Sequence, residues 1–227
     1  MIGKIFFEVI DLPARFLIDY HEQNDWLPMA GTLQSPINID TTQTKTVTAK
    51  EASSLKLFFN SQQRSFLNNG QNLQLLCQGK ARLNGRRFSL VQMHFHAESE
   101  HTVNQQHFPL EGHFLYKASN GQTAVVAVLY TLGRHNPAFE QVLHQFAQEK
   151  AEGDCAVDAL LPTDKSYYHY LGSLTTPPLT ENVEWYVLQQ TMTVSPEQVA
   201  AFEKIHGKNC RDLQPLNDRT VLHFEER

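Results

Sequence analysis

The sequence predicts a mostly β domain of the α+β class, with a few helices at its periphery. Three observations carry this expectation. Short runs rich in Val, Phe, Tyr and Leu recur along the chain, Asn-Gly pairs punctuate them, and only two segments combine helical spacing with a cap.

The strand-like runs lie at 55–60, 73–78, 88–96, 110–117, 123–130 and 185–188. Aromatic and β-branched side chains fit a pleated, half-buried surface. The pairs Asn69-Gly70, Asn84-Gly85 and Asn120-Gly121 supply the residue types that tight hairpin turns need. The first helix follows Asn136-Pro137, an N-cap residue with proline at the first helical position. It carries Phe139, Val142, Leu143 and Phe146 on one face. The second starts at Ser195-Pro-Glu-Gln198, a capping box, and ends near Gly207. No Pro/Gly/Ser linker, charge block or repeat marks a boundary, so one domain is expected.

Composition narrows the function classes. The 227 residues carry 19 Lys and Arg against 24 Asp and Glu, a formal net charge of −5. That balance argues against nucleic acid or an anionic membrane as a non-specific partner, because both require a positive field. The mean hydropathy of −0.40 is that of a globular chain. No run approaches the roughly 20 apolar residues of a membrane-spanning helix. Histidine is in surplus at 11 residues, and cysteine is scarce at three, Cys77, Cys155 and Cys210. With no Cys-x-x-Cys and an odd count, these read as free thiols, which favours a reducing, cytoplasmic location. The apolar start of the chain is interrupted by Glu8, Asp11 and Arg15 and makes a poor signal peptide. A removed leader would instead place the chain in the periplasm or outside the cell.

The informative stretch is Gln92-Met-His94-Phe-His96-Ala-Glu-Ser-Glu100-His101, followed by Glu111-Gly-His113. Side chains alternate along a strand, so His94 and His96 share one face and Phe95 takes the other. Glu111, His113 and Leu115 share a face of the next strand. An antiparallel return brings His113 beside the first pair. Three neutral imidazoles converging on one point suit zinc (Zn2+) with its fourth tetrahedral position open, since a closed structural site would want a fourth protein ligand, usually Cys. Gln92 and Glu111 sit on the faces of His94 and His113, where they can take the second ring N–H. Cupin-type iron or manganese oxygenases also use His-x-His followed by Glu, and Glu100 stands four residues after His96. The glycine expected after that Glu is absent, and so is a second cupin motif. No His-Glu-x-x-His of a metalloprotease occurs.

Residues 170–188 read as a rigid turn leading into a strand, with Pro177-Pro178 fixing the backbone and Thr175 and Thr176 offering hydroxyls. Together the segments Gln34-Ser-Pro-Ile-Asn-Ile39, Asn68-Asn-Gly70, Gln92 to His96, Ser99 to Val103, Glu111-Gly-His113, Gly172 to Pro178 with Glu181 and Trp185, and Asn209-Cys-Arg211 with Gln214-Pro215 resemble the bacterial alpha-class carbonic anhydrases. The resemblance runs from about residue 19 to the C-terminus. It implies a single domain over 19–227, with 1–18 as an N-terminal extension of unassigned role. It further implies a twisted, largely antiparallel sheet of about ten strands around a conical metal cavity.

By the same resemblance, His94, His96 and His113 match the zinc ligands. Thr175 matches the threonine that accepts from a zinc-bound hydroxide, and Glu100 the acid that accepts from Thr175. Gln92, Glu111 and the backbone of Asn209 match the partners of the three ligands, and His101 is expected in the buried polar network near Glu100. Leu115, Val125, Leu174, Val183 and Trp185, with Thr176 beside them, match the substrate pocket, and Asn69 a polar cavity position. The implied activity is interconversion of carbon dioxide and bicarbonate, open to sulfonamide and anion inhibitors, in a monomer or homodimer. Catalytically silent modules of this fold lack at least one ligand histidine, whereas all three are present here.

Three departures stand out. Where bacterial relatives often carry a cysteine before Gln-Ser-Pro, this chain has Gly31-Thr32-Leu33, so that family disulfide cannot form. The N-terminal aromatic segment is matched only loosely by Asp19-Tyr20 and Trp26; Tyr20 stands where a tyrosine contacts the active-site threonine. Fast family members place a shuttle histidine directly after Asn-Asn-Gly, and here that residue is Gln71. An amide does not titrate near neutrality and cannot relay a proton. Gln71→His is therefore expected to raise maximal turnover in weak buffer while leaving the carbon dioxide step nearly unchanged. Stopped-flow assays across buffer concentrations check this, and equal turnover in weak buffer would contradict it.

Overall fold

The computed structural model describes residues 19–29, 31–68, 73–148, 156–207 and 209–226. Twelve strands form in chain order: β1 (Asn38–Ile39), β2 (Lys45–Val47), β3 (Lys56–Asn68), β4 (Leu73–Leu83), β5 (Arg86–His96), β6 (Thr102–Val103), β7 (Leu110–Lys117), β8 (Thr123–Leu132), β9 (Tyr167–Ser173), β10 (Glu181–Leu188), β11 (Met192–Val194) and β12 (Leu222–Phe224). Helices α1 (Pro137–Ala147) and α2 (Pro196–His206) and two short 3-10 turns complete the described elements.

Ten strands make one sheet in the order β2-β12-β9-β10-β8-β7-β5-β4-β3, with β11 on β8, while β1 and β6 form a parallel pair of their own. Within the large sheet, β2/β12, β10/β8 and β11/β8 are parallel and the other neighbours antiparallel. The largely antiparallel expectation therefore holds. β8 serves two parallel partners along its length, β10 at 123–127 and β11 at 130–132. Asn84 and Gly85, with φ of 45° and 76°, turn β4 directly into β5. Positive φ at both central residues matches the twist of the flanking strands.

All six runs read from the sequence are strands, several extended. β9 and the short β1, β2, β6, β11 and β12 escaped the pattern. β9 reads Tyr-Tyr-His-Tyr-Leu-Gly-Ser, with no polar/apolar alternation, because it is buried on both sides over most of its length. Gly172 within it is required: a Cβ there would lie 2.1 Å from Ser35 Oγ. The pairs at 69–70 and the thiol of Cys155 lie outside the described residues, as does the 1–18 extension. No disulfide joins Cys77 and Cys210.

The sheet separates two apolar clusters. On one face Phe95 contacts Phe139 of α1 and Phe202 of α2, with ring centroids 4.9 and 6.3 Å away. The second cluster holds Val125, Val183 and Trp185, with Leu115 and Leu174 packed against it. The helices are fixed at their starts as the sequence predicts. Asn136 Oδ1 accepts from the Ala138 and Phe139 amides at 3.1 and 3.0 Å, and its Nδ2 donates to the Thr193 carbonyl. Ser195 and Gln198 form the capping box of α2. Gln198 also donates to the Asn136 carbonyl, tying the two helix starts together. Asn136→Ala is expected to destabilise the fold by about 1–2 kcal/mol, read as a lower urea midpoint with an unchanged slope. An unchanged midpoint would mean the cap is not needed.

Candidate metal centre

β5 and β7 bring three histidines together. His94 and His96 project from one face of β5, and His113 of β7 lies directly opposite His94 in antiparallel register. Ring centroids are 4.9 Å apart for His94 and His96, 5.1 Å for His94 and His113, and 4.6 Å for His96 and His113. All three side chains are buried. One nitrogen from each ring lies within 4.8 Å of the other two.

The opposite nitrogen of each ring has an acceptor of its own. His94 Nδ1 donates to Gln92 Oε1 at 2.9 Å, His96 Nδ1 to the Asn209 carbonyl at 2.5 Å, and His113 Nε2 to Glu111 Oε1 at 2.8 Å. A ring nitrogen that donates carries the proton, so the converging nitrogens are left as lone pairs. His96 Nε2 is buried with no hydrogen-bond partner. Leaving such a group unsatisfied costs roughly 1–3 kcal/mol, and a cation that accepts the lone pair removes that cost. The donor set therefore fits a divalent transition metal of the zinc type, which takes imidazole nitrogen and tolerates an open position.

Electrostatics keep the cluster deprotonated. Burial holds His94 and His113 below the ordinary imidazole range and brings His96 down to about 4. For His94 the neighbouring rings add to the effect. Burial alone would raise Glu111, but His101 and His113 beside it prevail and hold it well below its usual value. Glu111 is the hub of the buried network. Its Oε1 accepts from both His113 and His101 Nδ1, the latter at 2.7 Å, and its Oε2 accepts from the His101 amide.

Glu100 lies beside this network, fully buried. Its Oε1 accepts from the Arg211 amide at 2.9 Å, and its Oε2 stands 3.5 Å from His96 Nε2. Burial pushes its carboxyl up to about 7, while His113, the Arg211 amide and a side-chain interaction with Thr175 pull it down. Thr175 is buried in the turn after β9, and the Thr176 carbonyl accepts from the Leu179 amide to close that turn. Val125, Val183 and Trp185 lie in one apolar cluster, with Leu115 and Leu174 packed against it. The Trp185 ring lies 4.9 Å from that of His113, and its indole N–H donates to the Ser173 carbonyl.

His101 is in the polar network, but through Glu111 and Tyr170 rather than directly through Glu100: its Nε2 lies 2.6 Å from the Tyr170 hydroxyl. Tyr20 is buried, and burial, with a smaller contribution from Glu100, raises its pKa. Asn69 and Gln71 lie outside the described residues. Sequence reasoning gave no role to Tyr170, Ser35 or Arg211. The Tyr170 hydroxyl donates to Ser35 Oγ, and the Arg211 guanidinium donates to Gln34 Oε1 and the Ser35 carbonyl. The signal was present in the Gln34-Ser-Pro and Asn209-Cys-Arg211 segments, but nothing in one sequence says that they meet.

A family model described as eukaryotic-type carbonic anhydrase matches residues 21–225. The chain belongs to the alpha-carbonic anhydrase family. A carbonic anhydrase of Pectobacterium carotovorum is 39% identical over 201 residues, covering 85% of this chain and 80% of that protein. The alpha-carbonic anhydrase of Thermovibrio ammonificans, solved with sulfanilamide, superposes with a TM-score of 0.79 at 36% identity, covering 85% of this chain and 87% of that one. The Photobacterium profundum alpha-carbonic anhydrase gives 0.77 at 33% identity, covering 89% and 94%. Family and fold support carbon dioxide hydration, and carbonic anhydrases of this family are zinc-dependent in general.

The depressed His96 pKa has a stability consequence. Without metal, the folded ring stays neutral down to about 4, while the unfolded ring protonates near the ordinary 6.5. The folded state then binds fewer protons, so this contribution is present above 6.5 and is lost as pH falls toward 4. Glu100 works in the opposite sense, its contribution being lost as pH rises toward 7. Comparing the wild type with His96→Asn isolates the histidine. In chelator-treated protein the substitution should remove up to roughly 3 kcal/mol of the acid-side fall in stability, read from urea midpoints across that window. Parallel profiles would contradict it.

Proposed function

We infer that this chain catalyses the reversible hydration of carbon dioxide to bicarbonate and a proton, with one zinc ion held by His94, His96 and His113. The observation that supports this best is the convergence of three neutral imidazole lone pairs beside a buried carboxylate. When bound, zinc supplies hydroxide at neutral pH by lowering the pKa of water to about 7, the standard behaviour of carbonic anhydrases rather than a value derived for this chain.

The remaining work falls to the protein. Gln92, the Asn209 carbonyl and Glu111 keep each ring in one tautomer and one orientation. Glu100 would be held in its ionised, acceptor-only form by a cation on the three histidines, because an opposite charge at short range lowers a carboxyl pKa. Thr175 then commits its proton to Glu100 and has only lone pairs to offer the attacking oxygen. That fixes the direction of the nucleophile before carbon dioxide arrives. Carbon dioxide carries no net charge and is held by the apolar wall of Leu115, Val125, Leu174, Val183 and Trp185, which also limits water around the reacting atoms. The Thr175 amide is the donor that would receive anions and sulfonamides. At the shuttle position, Gln71 leaves the final proton to buffer.

Thr175→Val is expected to leave zinc content stoichiometric and to lower kcat/KM for carbon dioxide roughly hundredfold, since only the orientation of the nucleophile is lost. His96→Asn should lose both metal and activity. Metal analysis and stopped-flow hydration on the same samples separate the two effects. A folded, zinc-loaded wild-type protein without hydration activity would overturn this function.

A further inference from the structure

The charge of this chain is unevenly distributed. Residues 52–97 contain six Lys and Arg and no Asp or Glu, so the remainder carries 13 basic against 24 acidic residues. That segment spans β3, β4 and β5. Strand register places its cations in rows. Lys56, Arg82 and Arg87 are direct cross-strand neighbours on β3, β4 and β5. In the next row Phe58, Lys80, Ser89 and Lys117 run across β3, β4, β5 and β7. All of these side chains are exposed. Among the described residues, the only acidic group bound to a cation of this segment is Glu184, and its partner Arg86 lies in neither row.

Like charges placed directly opposite one another on a sheet destabilise it, so this arrangement favours an anionic partner over bare solvent. The same face is also apolar. Phe58 is 61% exposed, Val91 44% and Leu76 36%. Phe58, Gly79, Lys80 and Ser89 line a shallow groove there, and Phe58, Lys80, Arg82, Arg87 and Lys117 line another beside it. Interleaved cations and exposed apolar side chains on an extended sheet face match a surface that is anionic at its headgroups and apolar beneath them. A polyanion alone would leave Phe58, Val91 and Leu76 without a counterpart.

We propose that this face of β3, β4, β5 and β7 docks on an anionic lipid bilayer. It lies on the same side of the sheet as the metal centre. Lys117 is four residues from His113 on β7, with Leu115 between them on that face, a separation of about 13 Å. Docking therefore turns the side of the sheet that carries the three histidines toward the lipid. The net charge of −5 conceals this face because the acidic residues lie elsewhere.

The test is flotation of the full chain with vesicles of equal parts phosphatidylglycerol and phosphatidylcholine, against vesicles of phosphatidylcholine alone. Binding is expected to the first only, and to weaken as salt rises. Combined Lys80→Gln, Arg82→Gln, Arg87→Gln and Lys117→Gln substitutions should weaken partitioning several hundredfold, roughly fivefold per cation removed, with a urea midpoint equal to or above that of the wild type because cross-strand repulsion is relieved. Phe58→Ser should weaken binding while leaving the salt dependence in place. No binding to the anionic vesicles at low salt, or equal binding by the quadruple variant, would overturn the proposal. So would displacement from the vesicles by duplex DNA or polyglutamate at lower concentration than the lipid.

Discussion

Three hydrogen bonds on the outer sides of three imidazole rings determine what this protein can do. Gln92, the Asn209 carbonyl and Glu111 each take one ring proton, and each thereby turns a lone pair inward. A histidine free to choose its tautomer would present a proton to a neighbour as readily as a lone pair. Here the choice is made by groups from three separate parts of the chain: β5 itself, the start of β7, and the segment after α2. The sheet brings the first two together by register, and packing of the C-terminal segment brings the third.

Burial makes these bonds consequential. In solvent, each ring would protonate near neutrality and repel a cation. Inside the sheet, burial suppresses protonation of all three rings, so the cluster is a neutral donor set near neutral pH. The same burial acts oppositely on Glu100, raising its pKa, and on Glu111, where two histidine neighbours reverse the effect. Two carboxyl groups in one dry network are thereby given different characters. Glu111 is a permanent acceptor that aims rings, and Glu100 is a group whose ionisation answers to the charge beside it.

Much of this was legible in the sequence. The spacing of His94, His96 and His113 sufficed to predict a shared face, because strand alternation is a local rule. Asn84-Gly85, Asn136-Pro137 and Ser195 to Gln198 were equally local and gave turns and caps in the right places. What the pattern did not reveal is non-local. β9 has no alternation because neighbours bury it on both sides. Tyr170, Ser35 and Arg211 form one buried polar group only because segments more than a hundred residues apart meet there. His101 was expected in the buried polar network near Glu100, and the partners it has there, Glu111 and Tyr170, were not named by the pattern. Net charge was the least informative summary, since it averaged a basic sheet face with an acidic remainder.

The chemistry of this protein depends on whether the three lone pairs share one ion. X-ray absorption at the zinc edge, on protein loaded with one equivalent of zinc, measures this directly. A zinc ion on the three histidines should show three imidazole nitrogens and one oxygen donor, all at about 2.0 Å. A sulfur scatterer at about 2.3 Å, or a shell without the multiple-scattering signature of three imidazoles, would contradict it.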